Sequence, residues 1–186
     1  TIQNVNSGIL LQGSTSALYY DLNNIVGGTN GANGNIIQNF GNNAAIITYG
    51  IYTFYQNNLL IQNNNLNNMN GGGVAPTTTQ YGIYTSTATF SGFYTIRKNT
   101  VNLTQGSTGI VYGIYNTASN TNNLNTINID SNDVAFTHIT TGSTVYGIYN
   151  SGSCANLNLN ANKMNNISTP GTGTMYLFYI AGTVYT

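Results

Sequence analysis

The chain has 186 residues, of which 40% are hydrophobic, so it is long enough to bury the core of one domain. Only 3% of the residues are charged and the formal net charge is zero, which excludes a nucleic-acid binder with a basic surface and disfavours a charged, disordered chain. The 15 Tyr and 6 Phe, together with many Thr, Ile, Asn and Gly residues, favour strands separated by turns.

A four-residue motif recurs along the chain at nearly even intervals. It reads Tyr-Gly-Ile-Tyr at 49–52, 81–84, 112–115 and 146–149, and looser copies occupy 17–20 and 176–179. The six copies begin at positions 17, 49, 81, 112, 146 and 176, so the intervals run from 30 to 34 residues. Such a period predicts a repeat architecture in which each copy is one structural unit.

A second motif, apolar-x-apolar-x-x-Asn-x-apolar, lies between the copies of the first. It spans 59–66, 94–101, 127–134 and 157–164, and a weaker copy occupies 36–39. The alternation predicts a half-buried strand, and the Asn stands where the alternation breaks. Asn adopts the left-handed region more readily than most residues and bonds to neighbouring backbone, so we expect a bend there between two strands. Each repeat is thus predicted to contain two strands joined by turns.

A unit of 30–35 residues with such short strands cannot bury its own apolar face, but stacked copies can. We therefore predict an all-β fold, a right-handed parallel β-helix of about five to six coils, as a single solenoid over 1–186. In this fold one Asn of each second motif should stack at about 4.8 Å on the next, forming a column of Asn64, Asn99, Asn132 and Asn162. A β-propeller is disfavoured because its blades need about 40 residues.

The few charged residues support the same register. Aligning the second motifs puts Arg97 beside Asp130 and Asp133 beside Lys163 on neighbouring coils. Opposite charges on neighbouring strands stabilise a sheet by a few tenths to about 1 kcal/mol. We expect these residues to be partners across the stack rather than a catalytic pair of carboxylates.

These repeats resemble the right-handed parallel β-helix repeats of the pectate-lyase-like superfamily, in which Asn ladders at a strand bend and stacked core aliphatics are typical. The uncharged, Asn-rich sequence with recurring Tyr-Gly-Ile-Tyr is also similar to the β-helical arrays in large secreted proteins of Bacteroidota that the type IX system exports. The resemblance implies a secreted or cell-surface location. Because the chain opens in the middle of a repeat, we expect a fragment of a longer repetitive protein.

The residues that usually carry catalysis or bind metals are scarce. A glycosidase needs two carboxylates. The only acids close together in the sequence are Asp130 and Asp133, and each is expected to lie beside a cation on a neighbouring coil. His138 and Cys154 are single residues of their type, and nothing in the sequence supplies the rest of a triad or of a metal site. Cys154 is interpreted as a small buried hydrophobe. We predict no enzyme activity, no metal site and no cofactor.

The tyrosines of the first motif are the candidate ligand-binding residues. Strand alternation puts the first Tyr with Ile on one face and Gly with the last Tyr on the other, so we expect one tyrosine column inside and one outside. The outer column either packs as a ladder or offers a stacking platform for sugar rings. The candidates are the last tyrosines of the six copies: Tyr20, Tyr52, Tyr84, Tyr115, Tyr149 and Tyr179.

The leading functional prediction is a non-catalytic structural or adhesive segment of a secreted or cell-surface protein: a stalk, an adhesin module or an export-system passenger. Its expected partners are surface glycans or proteins of an adhesion or secretion system, and no nucleic acid is expected. We also expect no membrane insertion, because no apolar run reaches roughly 18 residues. The alternative is a carbohydrate-binding or carbohydrate-active β-helix whose catalytic residues lie outside this segment. An ice-binding solenoid ranks last, because the Thr runs at 77–79 and 140–141 fall in variable loops.

Overall fold

The computed structural model describes residues 1–16, 20–41, 46–72, 75–86, 92–106, 108–119, 126–138, 142–168 and 172–185. Within these ranges the chain consists of strands and one short 3-10 helix, Gly31–Asn33. In chain order the strands are β1 (Ile2–Gln3), β2 (Ser7–Gln12), β3 (Asp21–Leu22), β4 (Ile25–Val26), β5 (Ile36–Gln38), β6 (Thr48–Phe54), β7 (Gln56–Asn57), β8 (Leu59–Gln62), β9 (Asn65–Asn67), β10 (Gln80–Ser86), β11 (Tyr94–Arg97), β12 (Thr100–Gln105), β13 (Ile110–Asn116), β14 (Thr126–Asp130), β15 (Asp133–His138), β16 (Thr144–Asn150), β17 (Asn156–Asn158), β18 (Lys163–Ser168) and β19 (Thr174–Ile180).

The strands form three long parallel sheets that run the length of the stack. Sheet A has the order β1-β5-β9-β12-β15-β18, sheet B has β2-β6-β10-β13-β16-β19, and sheet C has β4-β8-β11-β14-β17. A two-stranded pair, β3 and β7, adds to the first two coils. The chain passes from sheet B to sheet C to sheet A and back to sheet B in the next coil. The predicted all-β fold is confirmed as a parallel β-solenoid of about five turns.

Each coil contains three strands in the long sheets, one from the first motif and one on each side of the predicted bend in the second motif. The third strand follows the bend and begins at the last part of the second motif, as β12 does at Thr100 after β11 ends at Arg97. Beyond the bend the motif contains only one apolar position, so the pattern indicates a strand there but not its length. Three strands per coil give the solenoid three faces and enclose the core between them.

The core is a set of columns in which similar side chains stack from coil to coil. Sheet B contributes an isoleucine column whose members are all 0% exposed, and its residues are Ile51, Ile83, Ile114 and Ile148. Sheets C and A contribute Ile61, Ile96 and Ile129, and Leu66, Val101 and Val134. Burying one such aliphatic side chain stabilises the fold by about 1.5–3 kcal/mol. The uniform repeat thus produces one continuous core along the axis.

The predicted asparagine column is confirmed at the bend between sheets C and A. The Nδ2 of Asn64 donates to Oδ1 of Asn99 at 2.9 Å, and Asn99 to Asn132 and Asn132 to Asn162 each do so at 3.0 Å. At the N-terminal end Asn35 joins the column by donating to Asn64 at 2.9 Å. The weaker motif copy at 36–39 was therefore misplaced, because Ile36 pairs with Asn65 and the column residue precedes it.

The left-handed residue of the bend is the one before the column asparagine. Asn63, Lys98, Ser131 and Ala161 have φ between 52° and 55°. The prediction that the column asparagine itself takes this conformation is wrong. Its side chain is buried and bonds to the coils on both sides, which requires an inward direction, while the preceding residue absorbs the sharp change of chain direction.

The predicted register of the charged residues is confirmed. Arg97 pairs with Asp130 across β11 and β14, and Asp133 pairs with Lys163 across β15 and β18. The side-chain bonds run to amides: the guanidinium of Arg97 donates to Oε1 of Gln62 at 2.9 and 3.0 Å. The carboxylate of Asp133 accepts from Asn165 at 2.7 and 2.8 Å. Arg97 and Asp133 therefore each bond to a side-chain amide on a neighbouring coil.

The first copy of the tyrosine motif was assigned to the wrong segment. Strand β2 pairs with β6 so that Ser7 lies beside Tyr49, Ile9 beside Ile51 and Leu10 beside Tyr52. The first coil thus carries Ser-Gly-Ile-Leu at 7–10 in place of Tyr-Gly-Ile-Tyr. The assigned copy at 17–20 lies between β2 and β3, and its residues 17–19 are outside the described part of the chain.

Candidate functional site

The outer face of sheet B carries two columns of tyrosines, which we call the tyrosine ladder. Each of the strands β6, β10, β13, β16 and β19 contributes the two tyrosines of its motif in matching register. From β6 to β16 these side chains are half-buried, and on β19 both are 38% exposed. The ladder consists of Tyr49, Tyr52, Tyr81, Tyr84, Tyr112, Tyr115, Tyr146, Tyr149, Tyr176 and Tyr179.

Both tyrosine columns face outward, so the prediction of one inner and one outer column is wrong. Gly82 and Ile83 are both buried between the half-exposed Tyr81 and Tyr84. A Cβ on Gly82 would lie 2.4 Å from Cγ1 of Val101 in sheet A and 2.5 Å from the carbonyl oxygen of Gly113 in the next coil. The glycine therefore points into the core beside the isoleucine. Two successive inward residues break the alternation, and the break recurs in every coil.

The rings of the ladder contact one another in two directions. Along the axis, Tyr81 stacks on Tyr112 with centroids 4.9 Å apart and ring planes 4° apart, and Tyr84 stacks on Tyr115 at 5.0 Å and 8°. Within one coil Tyr81 and Tyr84 are 4.8 Å apart at 17°. Offset stacking at these distances stabilises an aromatic pair by about 0.5–1.5 kcal/mol beyond burial. At the end of the array Tyr179 turns its ring to 81° from that of Tyr149.

Packing of the ladder changes the acidity of its phenols. Burial first, and then the neighbouring Tyr115, Tyr146, Tyr149 and Tyr84 in that order, together raise the pKa of Tyr112 to about 12. Burial and the surrounding tyrosines also raise the pKa of Tyr81. Removing a proton would place a charge among half-buried rings. The raised pKa values of Tyr81 and Tyr112 therefore keep these two phenols protonated at physiological pH.

The candidate stacking residues fall into two groups in the structure. Tyr52, Tyr84, Tyr115, Tyr149 and Tyr179 form the second column of the ladder. Tyr20 lies outside it and packs against Tyr55, with centroids 5.8 Å apart. In the ladder the faces of the inner rings are covered by neighbouring rings, so the edges and hydroxyls are left for contact with other molecules. A role in ligand stacking stays a prediction.

A second buried polar column follows the tyrosine motif and was missed from the sequence. The hydroxyl of Thr85 bonds to Oδ1 of Asn116, and Nδ2 of Asn116 donates to Oδ1 of Asn150 at 2.7 Å. All three side chains are 0% exposed. The recurring Thr or Asn after Tyr-Gly-Ile-Tyr was the available signal. The sequence pattern does not show this column clearly, because the position after the motif is Thr in some coils and Asn in others.

An open groove of about 410 Å³ lies on sheet C. Phe93, 60% exposed, lies at the groove, and its backbone N–H donates to Oδ1 of Asn58 at 3.0 Å. Asn58 in turn donates to Asn23 at 3.1 Å. The groove is lined by Asn23, Asn58, Leu59, Leu60, Phe93, Thr95 and Arg97. The groove thus combines an exposed aromatic ring with side-chain amides.

The residues considered for catalysis lie at strand ends and in the core. Asp130 ends β14 and Asp133 begins β15, on either side of the bend. His138 ends β15, where its backbone pairs with Gln105. Cys154 is 0% exposed, and burial raises the pKa of its thiol, so the interpretation as a core residue is confirmed. Among the described residues no group of three or more His, Cys, Asp or Glu is placed to hold a metal ion.

The chain was compared with protein-family models, with curated proteins and with solved structures, and none of them matches it. Over the described ranges, the structure contains no helix that is long and apolar enough to cross a membrane.

Proposed function

We propose that this solenoid is a non-catalytic structural or adhesive segment of a secreted or cell-surface protein. The proposal is supported by three stacks of side chains that run along the axis of the solenoid. The column at the bend, the column after the tyrosine motif and the tyrosine ladder all link successive coils through side chains. A repetitive rod whose coils are joined by hydrogen bonds and ring stacking is suited to act as a spacer or stalk that displays other domains.

The surface chemistry supports an extracellular setting. The outer columns are built from Asn, Thr, Gln and Tyr, and only six residues of the chain are charged. A neutral surface of this kind binds little through long-range charge, so its contacts depend weakly on salt. Specific adhesion would then use hydrogen bonds and aromatic rings. The resemblance to exported β-helical arrays points the same way.

The structural proposal predicts that the purified protein turns over no polysaccharide. Hydrolysis and lyase chemistry need paired acid and base groups, and the closest acids, Asp130 and Asp133, are each held in a column across the stack. The test is a polysaccharide panel assayed with the wild type and with the double variant Asp130→Asn, Asp133→Asn. Turnover that the double variant abolishes would contradict the proposal. Labelling of intact producing cells with an antibody tests the location.

The groove on sheet C favours a second candidate function, binding of a neutral glycan. Phe93 offers a ring for a sugar face, and Asn23 and Asn58 offer amides for hydroxyl groups. A glycan array tests this with the variant Phe93→Ala and the matched control Leu10→Ala, whose side chain is 59% exposed on sheet B. Loss of at least about tenfold in affinity is expected for Phe93→Ala alone. Equal binding by both variants would remove the groove as the site.

A further inference from the structure

We propose that the tyrosine ladder is an oxidative cross-linking site, at which phenol rings on adjacent coils couple into dityrosine when a one-electron oxidant reaches them. Every axial pair of the ladder has ring centroids between 4.8 and 5.2 Å apart. Tyr81, for example, has four tyrosine rings within 5.8 Å, those of Tyr49, Tyr84, Tyr112 and Tyr115. A radical formed on any inner ring therefore has several partners.

The ladder is open to an oxidant in a way that the core tyrosine is not. The ladder side chains keep an exposed fraction on the outer face of sheet B, and Tyr176 and Tyr179 reach 38%. Tyr94, by contrast, is 1% exposed and donates its hydroxyl to the backbone oxygen of Gln56 at 2.6 Å. Accessibility thus favours the ladder over Tyr94, and the close neighbouring rings favour coupling in the ladder.

The coupling removes two electrons and two protons from a pair of phenols. The oxidant takes one electron from each phenol, and each hydroxyl proton leaves, which gives two neutral tyrosyl radicals. One carbon–carbon bond then forms between ortho carbons, and the two ortho protons move to the phenol oxygens. A peroxidase with one hydrogen peroxide accepts the two electrons and two protons and releases two waters.

The fold makes the reaction intramolecular. Hydrogen-bonded parallel strands hold each ring beside its partner, so the second radical need not diffuse from another molecule. The bond joins residues 30 to 34 positions apart in the sequence and restricts the unfolded chain as a disulfide does. The melting temperature is expected to rise by about 10 °C for a chain of this length.

Trypsin provides a direct readout, because the chain carries only three cleavage sites, Arg97, Lys98 and Lys163. The protein is treated with peroxidase and hydrogen peroxide, denatured, digested and analysed by mass spectrometry and dityrosine fluorescence. Coupling between β10 and β13 joins fragments 1–97 and 99–163, and coupling between β16 and β19 joins 99–163 and 164–186. Both joined products are expected at low protein concentration, where coupling between chains is slow.

Two variants separate the ladder from the other tyrosines. The quadruple Tyr→Phe variant at Tyr81, Tyr84, Tyr112 and Tyr115 keeps the rings but removes the oxidisable hydroxyls. It should release fragment 1–97 while 99–163 stays joined to 164–186, and this retained product reports that the stack still folds.

The matched control replaces the five tyrosines outside the ladder with Phe and should still give both joined products; these are Tyr19, Tyr20, Tyr55, Tyr94 and Tyr185. Absence of dityrosine in the wild type would overturn the proposal, as would cross-links that form only between chains. Retention of the 1–97 cross-link in the quadruple variant would assign the coupling to residues outside the ladder.

Discussion

At the scale of single residues, stability depends on buried amides that are fully bonded. Asn132 is 0% exposed, and its Nδ2 donates to the backbone oxygen of Ile96 at 2.9 Å and to Asn162 at 3.0 Å. Its Oδ1 accepts from the backbone N–H of Asn99 at 3.1 Å and from the Asn99 side chain at 3.0 Å. One side chain thus satisfies groups on the coils before and after it, and its loss would leave buried groups without partners.

The variant Asn132→Leu keeps the side-chain size and removes these bonds. We expect it to lower the free energy of unfolding by about 3 kcal/mol, because several buried donors and acceptors lose their partner. The matched control is Asn158→Leu, because Asn158 is exposed and makes one side-chain hydrogen bond, to Asn128. This variant should change the free energy of unfolding by about 0.5 kcal/mol or less. Urea denaturation measures both. Equal losses would show that the column does not stabilise the fold.

At the scale of elements, the sequence predicted the features that follow from stacking identical positions of successive repeats. The isoleucine column, the asparagine column and the partners of Arg97 and Asp133 follow from register alone, because each coil repeats the last. Strand alternation failed at the glycine of the tyrosine motif, where the core takes two successive residues. The motif itself was too weak in β2, where only Gly8 and Ile9 match it. The tyrosine-rich segment 17–20 resembles the motif more closely, so the sequence pattern predicted the first copy there.

The tyrosine ladder predicts a loss of stability at alkaline pH. In the unfolded chain tyrosine releases its proton near pH 10, whereas burial raises the pKa of folded Tyr112 to about 12. Between these values the unfolded state binds fewer protons than the folded state, so the free energy of unfolding falls as pH rises. The contribution is complete below about pH 10 and is lost through the folded pKa.

Denaturant midpoints measured from pH 8 to pH 11 on freshly adjusted samples test this expectation. The control is Tyr112→Phe, which keeps the ring but removes one titrating group, so its midpoint should fall less steeply over the same range. A midpoint that stays constant to pH 11 in the wild type would contradict the raised pKa of Tyr112.

At the scale of the whole molecule, the chain is a rod with a defined length per coil. Six strands of sheet B lie in sequence from β2 to β19, and parallel neighbours are about 4.8 Å apart. Leu10 and Tyr179 occupy the same outer column at the two ends, and both are exposed. Their backbone separation is therefore about 24 Å, from five steps of the stack.

A distance measurement between these two residues tests the stacked solenoid most directly. Spin labels are attached to cysteines at Leu10→Cys and Tyr179→Cys in a Cys154→Ala background, which removes the only native thiol. Double electron–electron resonance should give a narrow distribution centred at about 24 Å. A broad distribution, or one centred above about 35 Å, would contradict an in-register stack from β2 to β19, because strands at this spacing cannot span that distance in five steps.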